Sequence, residues 1–123
     1  MSEQPRDHVG VVQLMIVARH CDGPLSDVPV LTAACTTAVR DAGFQIVGET
    51  AHAFTPHGAT VALLLAQSHL VVSTWPEYRM AIVDVSICGS KESALRLWGG
   101  VEGVLLPLTC EIREHRIDLT HDG

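Results

Sequence analysis

Serine, cysteine and acidic side chains that could do chemistry are concentrated in residues 67–77 and 84–89. Ser68 stands near the start of the first segment, and Cys88 stands near the end of the second. Both residue types can act as nucleophiles or proton donors when neighbouring groups orient them. The sequence contains none of the common phosphate-binding, zinc-protease or hydrolase motifs. Local context must therefore distinguish a reactive serine from one that merely bonds to the backbone at a strand end.

That context consists of four short blocks in a fixed order. They are HAFTPHG at 52–58, QSHL at 67–70, TWPEY at 74–78 and DVSICG at 84–89. In order and spacing they resemble the short bacterial and archaeal type of S-adenosylmethionine decarboxylase, in which the blocks read HxFxPxG, ESHL, HTWPEY and DxFTCG. The resemblance extends over residues 8–117 without insertion.

The resemblance implies a proenzyme that cleaves itself. In such proteins the serine attacks the carbonyl group of the preceding residue, and β-elimination then leaves a pyruvoyl group at the new N-terminus. Carried over to this chain, the cleaved bond joins Gln67 to Ser68, and the products are chains 1–67 and 68–123. The pyruvoyl group derived from Ser68 would be the cofactor, because its ketone forms a Schiff base with the substrate amine and accepts electrons as CO₂ leaves.

The resemblance also implies roles for four further residues. Cys88 would protonate the α-carbon after decarboxylation, and a thiol of ordinary pKa is mostly protonated at neutral pH, as this role requires. Phe54 would stack on the adenine and Glu77 would accept hydrogen bonds from the ribose, while Trp75 would shape the turn that holds Glu77. The implied substrate is S-adenosylmethionine or a related amino acid, and the implied pathway is polyamine (spermidine) biosynthesis.

The chain departs from the family pattern at two positions. Gln67 stands where the family has glutamate, a near-isosteric change beside a reaction that uses the backbone carbonyl. Ser73 stands where the family has the histidine that removes the α-proton during β-elimination, and a serine hydroxyl is far too weak a base for this step unaided.

Another imidazole could take over that step. His69 is the nearest surrogate, although adjacent residues on an extended strand point to opposite faces, so it could help only if the backbone turns sharply at Ser68. His52, His57 and a side chain of a second copy are further candidates.

Two alternative functions follow from the loss at Ser73. One is an unprocessed homologue that binds a nucleoside-like ligand or a partner subunit without decarboxylation. The other is a pyruvoyl-independent reaction on S-adenosylmethionine in the same pocket. A divergent amino-acid substrate for the pyruvoyl chemistry is also compatible with the sequence.

Composition excludes several other classes of protein. The 123 residues predict one domain, 1–123, and a net charge of −6 argues against a nucleic-acid partner. The first residues, MSEQPRDH, lack the apolar core of a signal peptide, so we expect a cytoplasmic protein with four reduced cysteines. The longest apolar stretch, 59–66, is too short to span a membrane. The seven histidines show no metal-ligand spacing, so we expect no metal.

Hydrophobic periodicity predicts the element order βαββββαβ. The first helix begins after Ser26 or Asp27 and stops at Gly43. The second follows Ser90, and the glycine pair at 99–100 leaves its end undefined. The predicted strands are 9–18, 44–51, 59–66, 70–73, 78–87 and 108–116.

These elements predict an α+β fold of two layers, in which a largely antiparallel sheet carries both helices on one face. We expect Ala94, Leu95 and Trp98 on the inner face of the second helix, and a half-buried final strand. Strand 78–87 has apolar side chains on both faces, so we expect a homodimer that covers the second face.

Overall fold

The computed structural model describes residues 10–120, which form one six-stranded sheet and two α-helices. The predicted α+β two-layer architecture and element order are confirmed. The elements are β1 (Gly10–Arg19), α1 (Val28–Asp41), β2 (Ile46–Ala53), β3 (Ala59–Leu65), β4 (Ser68–Trp75), β5 (Met80–Cys88), α2 (Lys91–Leu105) and β6 (Thr109–Asp118). A short 3₁₀ helix, Pro76–Tyr78, joins β4 to β5.

The strands are arranged in the order β2-β3-β4-β5-β1-β6, and every neighbouring pair is antiparallel. Helix α1 packs against β2 and β3, and α2 packs against β5 and β1. Alternate side chains of the central strands, such as Leu14, Leu70 and Val85, are fully buried on this helix-covered face. Since side chains alternate along a strand, the intervening residues define a second face, which we call the open face.

The open face has a mixed character. It carries half-buried apolar side chains, among them Met15, Val71 and Ile82, together with polar side chains such as Asp84. Neither helix packs on this side. Ile82 is an apolar side chain that β5 contributes to this face.

The ends of the two helices follow from local chemistry. Asp27, one of the two predicted caps, accepts a hydrogen bond from the Val30 amide at 3.1 Å. Ser90 caps α2 through the Ser93 amide at 3.1 Å. Helix α2 continues through its two central glycines to Leu105. Gly100 faces α1, where a Cβ atom would lie 2.5 Å from Ala38 Cβ. The close packing of α1 on α2 therefore requires glycine at position 100, although a glycine pair lowers helix propensity.

Several sequence predictions need correction. Leu95 lies on the outer side of α2 and is 37% exposed, whereas Leu97 is fully buried together with Ala94 and Trp98. The final strand is mostly exposed rather than half-buried, because β6 is an edge of the sheet and Ile112 is uncovered. Strand β4 is longer than predicted and begins at Ser68, and β2 is shifted toward the C-terminus. Position 9 of the first predicted strand lies outside the described residues.

Leu97 and Leu95 offer a matched pair for testing the core of α2. We expect Leu97→Ala to lower the free energy of unfolding by about 2–5 kcal/mol, because it leaves a cavity among fully buried side chains. Leu95→Ala removes the same atoms from a partly exposed site and should cost less than about 1 kcal/mol. Urea denaturation monitored by circular dichroism would measure both values, and equal losses would contradict the assigned inner face.

Candidate active site

The bond between Gln67 and Ser68 lies at the tip of a tight hairpin. Ala66 and Gln67 form the two-residue turn between β3 and β4, and Ser68 already pairs with Leu65 in the ladder. Gln67 has φ of +62°, a left-handed conformation that costs an L-residue with a Cβ about 1–2 kcal/mol. The residue before Ser68 is thus held in a strained conformation.

Cys88 contacts both sides of this bond. Its backbone amide donates a hydrogen bond to Ser68 Oγ at 3.1 Å, and its Sγ lies 3.5 Å from the carbonyl oxygen of Gln67. The contact arises because β4 and β5 are antiparallel, so the end of β5 lies beside the start of β4. The structure therefore brings together three of the predicted site residues, Gln67, Ser68 and Cys88, which we call the cleavage cluster.

A cavity of about 290 Å³ at the opposite end of β4 is lined by four further predicted residues, Phe54, Ser73, Trp75 and Glu77. We call this cavity the ligand pocket. Phe54 is contributed by the β2–β3 loop, Ser73 and Trp75 by β4, and Glu77 by the 3₁₀ helix. The full lining is Phe54, His57, Thr60, Ser73, Thr74, Trp75 and Glu77.

Ser73 is engaged with a hydroxyl group that the sequence analysis did not select. Its Oγ lies 3.0 Å from Thr60 Oγ1, since the two residues are cross-strand partners on β3 and β4. Both belong to the open face, where a hydroxyl pair interrupts otherwise apolar strands. A threonine within the apolar run 59–66 was the available signal for this partner.

His57 also lies in the ligand pocket. Its Nε2 atom is 3.3 Å from Glu77 Oε1, and both side chains are about two-fifths exposed. The backbone around His57 is fixed, because the Phe54 amide donates to the Gly58 carbonyl at 2.9 Å and the Gly58 amide donates to Ser26 Oγ at 3.3 Å. The contact with Glu77 places the imidazole at the pocket wall, beside the predicted ribose-binding carboxylate.

Phe54 and Trp75 frame the pocket from two sides. Phe54 is half exposed, and its ring meets the His52 ring edge-on with centroids 4.7 Å apart. Trp75 is half-buried at the end of β4. An exposed aromatic face beside a carboxylate suits the stacking and hydrogen bonding of a nucleoside.

The cleavage cluster and the ligand pocket are separated by the length of β4. Ser68 and Ser73 are five residues apart on one extended strand, a separation of about 16 Å at a rise of about 3.3 Å per residue. Strand alternation also puts the two serines on opposite faces of the sheet. Within one chain the structure does not bring Ser73 to Ser68.

His69 lies on the open face and is bonded elsewhere. Its Nε2 atom is 3.3 Å from Asp84 Oδ2, while Asp84 Oδ1 accepts hydrogen bonds from Ser86 Oγ at 3.0 Å and Gln13 Nε2 at 3.3 Å. The sharp turn that would direct His69 toward Ser68 occurs one residue earlier, at Gln67. A surrogate-base role for His69 therefore has no support from contacts within one chain.

The family model for S-adenosylmethionine decarboxylase matches residues 12–116. The chain belongs to the S-adenosylmethionine decarboxylase family. The match includes both the cleavage cluster and the ligand pocket, and it confirms the resemblance found in the sequence.

Individual relatives agree with this membership. An S-adenosylmethionine decarboxylase proenzyme from Acidithiobacillus ferrooxidans is 41% identical over 104 residues, which cover 81% of this chain and 78% of the relative. A proenzyme of the same name from Aquifex aeolicus is 44% identical over 59 residues, which cover 48% of this chain and 44% of the relative. The crystal structure of the adenosylmethionine decarboxylase from Aquifex aeolicus VF5 matches with a TM-score of 0.84 at 26% identity, covering 94% of this chain and 96% of that chain.

The four cysteines of this decarboxylase-family chain are free thiols in different environments. Burial raises the pKa of the Cys35 thiol to about 12, and burial also raises the pKa of Cys21 against the opposing effect of Arg79. Both are buried packing residues, as expected from the sequence, and are poor proton donors or nucleophiles near neutral pH. Cys88 differs because it is half-buried at the cleavage cluster.

Neither a metal centre nor a second cavity adds to the candidate site in the described part of the chain. Within residues 10–120, no group of three His, Cys, Asp or Glu side chains could hold a metal ion. The expectation that no metal takes part stays a prediction. A larger cavity of about 730 Å³ adjoins the β1–α1 loop and Arg79, but it is an open groove that contains none of the predicted site residues.

Thr74 anchors the segment that carries Trp75 and Glu77. Its side chain is buried, donates to the Leu25 carbonyl at 2.7 Å and accepts from the Ala59 amide at 2.9 Å. The hydroxyl thus ties the end of β4 to the β1–α1 loop and to the start of β3. Thr74 is the first residue of the TWPEY block, but the sequence did not predict this anchoring role.

We expect Thr74→Val to destabilise the fold by about 1–3 kcal/mol, because the buried Leu25 carbonyl and Ala59 amide lose a partner. Thr74→Ser keeps the hydroxyl and should retain most of the stability. Thermal unfolding of the two variants beside the parent would give the difference. Equal destabilisation by both changes would show that the methyl group, and not the hydrogen bonds, carries the effect.

Proposed function

We propose that this chain is an S-adenosylmethionine decarboxylase proenzyme, a carboxy-lyase that cleaves itself between Gln67 and Ser68. Family membership supports the reaction class. The observation that carries the cleavage site is the contact of Cys88 with both Ser68 Oγ and the Gln67 carbonyl oxygen. Nucleophile, attacked carbonyl and a hydrogen-bond donor meet at one peptide bond, which follows a residue in the left-handed conformation.

The cleavage cluster suits an attack by Ser68 Oγ on the Gln67 carbonyl carbon. The Cys88 amide stabilises negative charge that develops on Oγ, and its Sγ–H can stabilise charge on the carbonyl oxygen. The left-handed φ of Gln67 raises the energy of the uncleaved state. Gln in place of the family glutamate leaves this backbone chemistry unchanged.

The processed enzyme would carry its pyruvoyl cofactor at the start of β4. The residues present fit this group, because the position of Ser68 opens a strand and lies against Cys88. When formed, the group supplies an electron sink for decarboxylation of the bound amino acid. Cys88 would deliver the proton to the α-carbon, while Phe54 and Glu77 hold the nucleoside and Trp75 shapes the pocket wall.

The distance between the cleavage cluster and the ligand pocket within one chain supports a homodimer as the active form. The open face offers apolar side chains such as Val17, Val71 and Ile82 for a second copy to cover. A two-fold axis running across the strands would exchange the two ends of β4 and so bring the backbone at the start of β4 in one copy over the ligand pocket of the other. Stacked sheets lie about 10 Å apart, close enough for side chains of both copies to meet.

The substrate that this site fits is S-adenosylmethionine or a related amino acid, with polyamine (spermidine) synthesis as the pathway. Neither helix within residues 10–120 is long and apolar enough to cross a membrane. A cytoplasmic location is part of the proposal, as is the exclusion of a nucleic-acid partner. The second candidate is a nucleoside-binding homologue without cleavage, or one that acts on S-adenosylmethionine without a pyruvoyl group. It is favoured by the Ser73–Thr60 hydroxyl pair, which contains no base.

Intact mass of the purified protein tests the proposed cleavage. We expect the 13.2 kDa chain to give two fragments that meet between Gln67 and Ser68, the second with a blocked N-terminus. Ser68→Ala should remain a single folded chain, because no hydroxyl is available to attack. A wild-type chain that stays whole after prolonged incubation would contradict the proposal and favour the binding or pyruvoyl-independent alternatives.

Complementation between two inactive chains tests the composite site. Ser68→Ala disables the cleavage cluster, and the double change Phe54→Ala/Glu77→Ala disables the ligand pocket. If each site combines two copies, co-expression places an intact cluster opposite an intact pocket in every mixed dimer. With random pairing, about a quarter of the sites are intact.

The measurement is CO₂ release from carboxyl-labelled S-adenosylmethionine by the co-expressed chains. The matched control is each variant expressed alone, which should be inactive. No activity from the mixture, together with normal dimers on sedimentation, would show that the site lies within one chain.

A further inference from the structure

We infer that His57 is the catalytic base for self-processing, replacing the imidazole missing at Ser73. This inference rests on the proposed function and on the composite site. It assigns to His57 the removal of the Ser68 α-proton in the partner copy.

The surroundings of His57 provide what a base requires. Its Nε2 atom lies 3.3 Å from Glu77 Oε1, a contact that favours the tautomer with the proton on Nε2. The other ring nitrogen, Nδ1, is then left with a lone pair that can accept a proton. A carboxylate that fixes the tautomer and orientation of an imidazole, and stabilises its protonated form, is the arrangement found in catalytic triads.

The location of His57 matches the position that lost its histidine. His57 and Ser73 line the same cavity, and among residues 10–120 His57 is the one imidazole in its lining. Backbone hydrogen bonds on either side of His57 fix its place in the loop, and the Glu77 contact places the ring at the pocket wall. The base has thus moved from the strand to the adjoining loop while remaining in the ligand pocket.

The other imidazoles of the described chain are less suited to this step. His52 is in edge-on contact with Phe54 and does not line the pocket. His69 is committed to Asp84 on the open face. His20 and His115 are exposed and lie outside the ligand pocket.

The step assigned to His57 is β-elimination from the ester formed by the initial attack. Transfer of the acyl group from nitrogen to oxygen gives an ester between the Gln67 carbonyl carbon and Ser68 Oγ, with a free amine on Ser68. Nδ1 of His57 takes the α-proton, the electron pair forms a Cα=Cβ double bond, and the Cβ–Oγ bond breaks. Chain 1–67 departs as a carboxylate, and water then replaces the nitrogen of the remaining enamine, releasing ammonia and leaving the pyruvoyl group.

The test measures the rate of chain cleavage, which requires no substrate. We expect His57→Gln to slow cleavage by about 10²-fold or more, within the usual contribution of a general base. His57→Ala should be slowed similarly and should regain cleavage when free imidazole is added, a rescue that a structural role would not give. His57→Gln/Ser73→His should cleave again, because it returns the imidazole to its family position.

The matched control is His20→Asn, which removes an exposed imidazole at a residue with φ of +55° and keeps a side chain that tolerates this conformation. It should cleave at the wild-type rate. A second comparison is His69→Gln. Loss of cleavage in this variant with normal cleavage in His57→Gln would overturn the inference in favour of His69.

The outcomes separate the inference from the function on which it rests. A wild-type chain that never cleaves refutes the proposed function itself. A wild-type chain that cleaves, with His57→Gln cleaving equally fast, refutes only the role of His57. Circular dichroism of each variant would verify folding, so a slow rate in a folded His57→Gln chain supports the assignment.

Discussion

The pairing of β4 with its two neighbours determines most of this molecule's chemistry. Its antiparallel ladder with β5 puts Cys88 against Ser68, and its ladder with β3 puts Thr60 against Ser73. Because the rise of a strand is fixed, the same ladder holds these two places about 16 Å apart. One strand therefore carries both halves of the candidate site and holds them apart within one chain.

The open face connects this constraint to assembly. A sheet with helices on one side must leave its other side to solvent or to a partner, and here that side contains apolar positions around the polar cluster of Asp84. Covering it would remove water from the His57–Glu77 contact. That contact is weak while both side chains are exposed and strengthens as the local dielectric falls. In the proposed dimer, assembly and reactivity would thus be coupled through the same surface.

The sequence predicted the fold class, the element order and the family, because apolar periodicity and the four blocks are local signals; the roles of the site residues stay predictions. It failed where packing decides. Leu95 and Leu97 are both apolar on one helix. They differ because α2 turns the side that carries Leu97 toward the core and leaves Leu95 on its outer side. Gly100 has a low helix propensity, and only the close approach of α1 shows why a glycine stands there. Thr60 could not be recognised as the partner of Ser73 without the register of β3 and β4. The distance between Ser68 and Ser73 likewise required knowing that β4 is one continuous strand.

Because Ser73 replaces the family histidine, the proposed mechanism gives Glu77 a second role beside ribose binding. In the proposed mechanism this carboxylate has two uses, because one of its oxygens contacts His57 and it would also bind the ribose. The two uses would not conflict, because cleavage would happen once and precede every turnover. A carboxylate can therefore orient the base first and accept the substrate later. With Ser73 in place of the family histidine, the small hydroxyl groups of Ser73 and Thr60 line the pocket where the family has a ring. That extra space bears directly on which amino-acid substrate the pocket accepts.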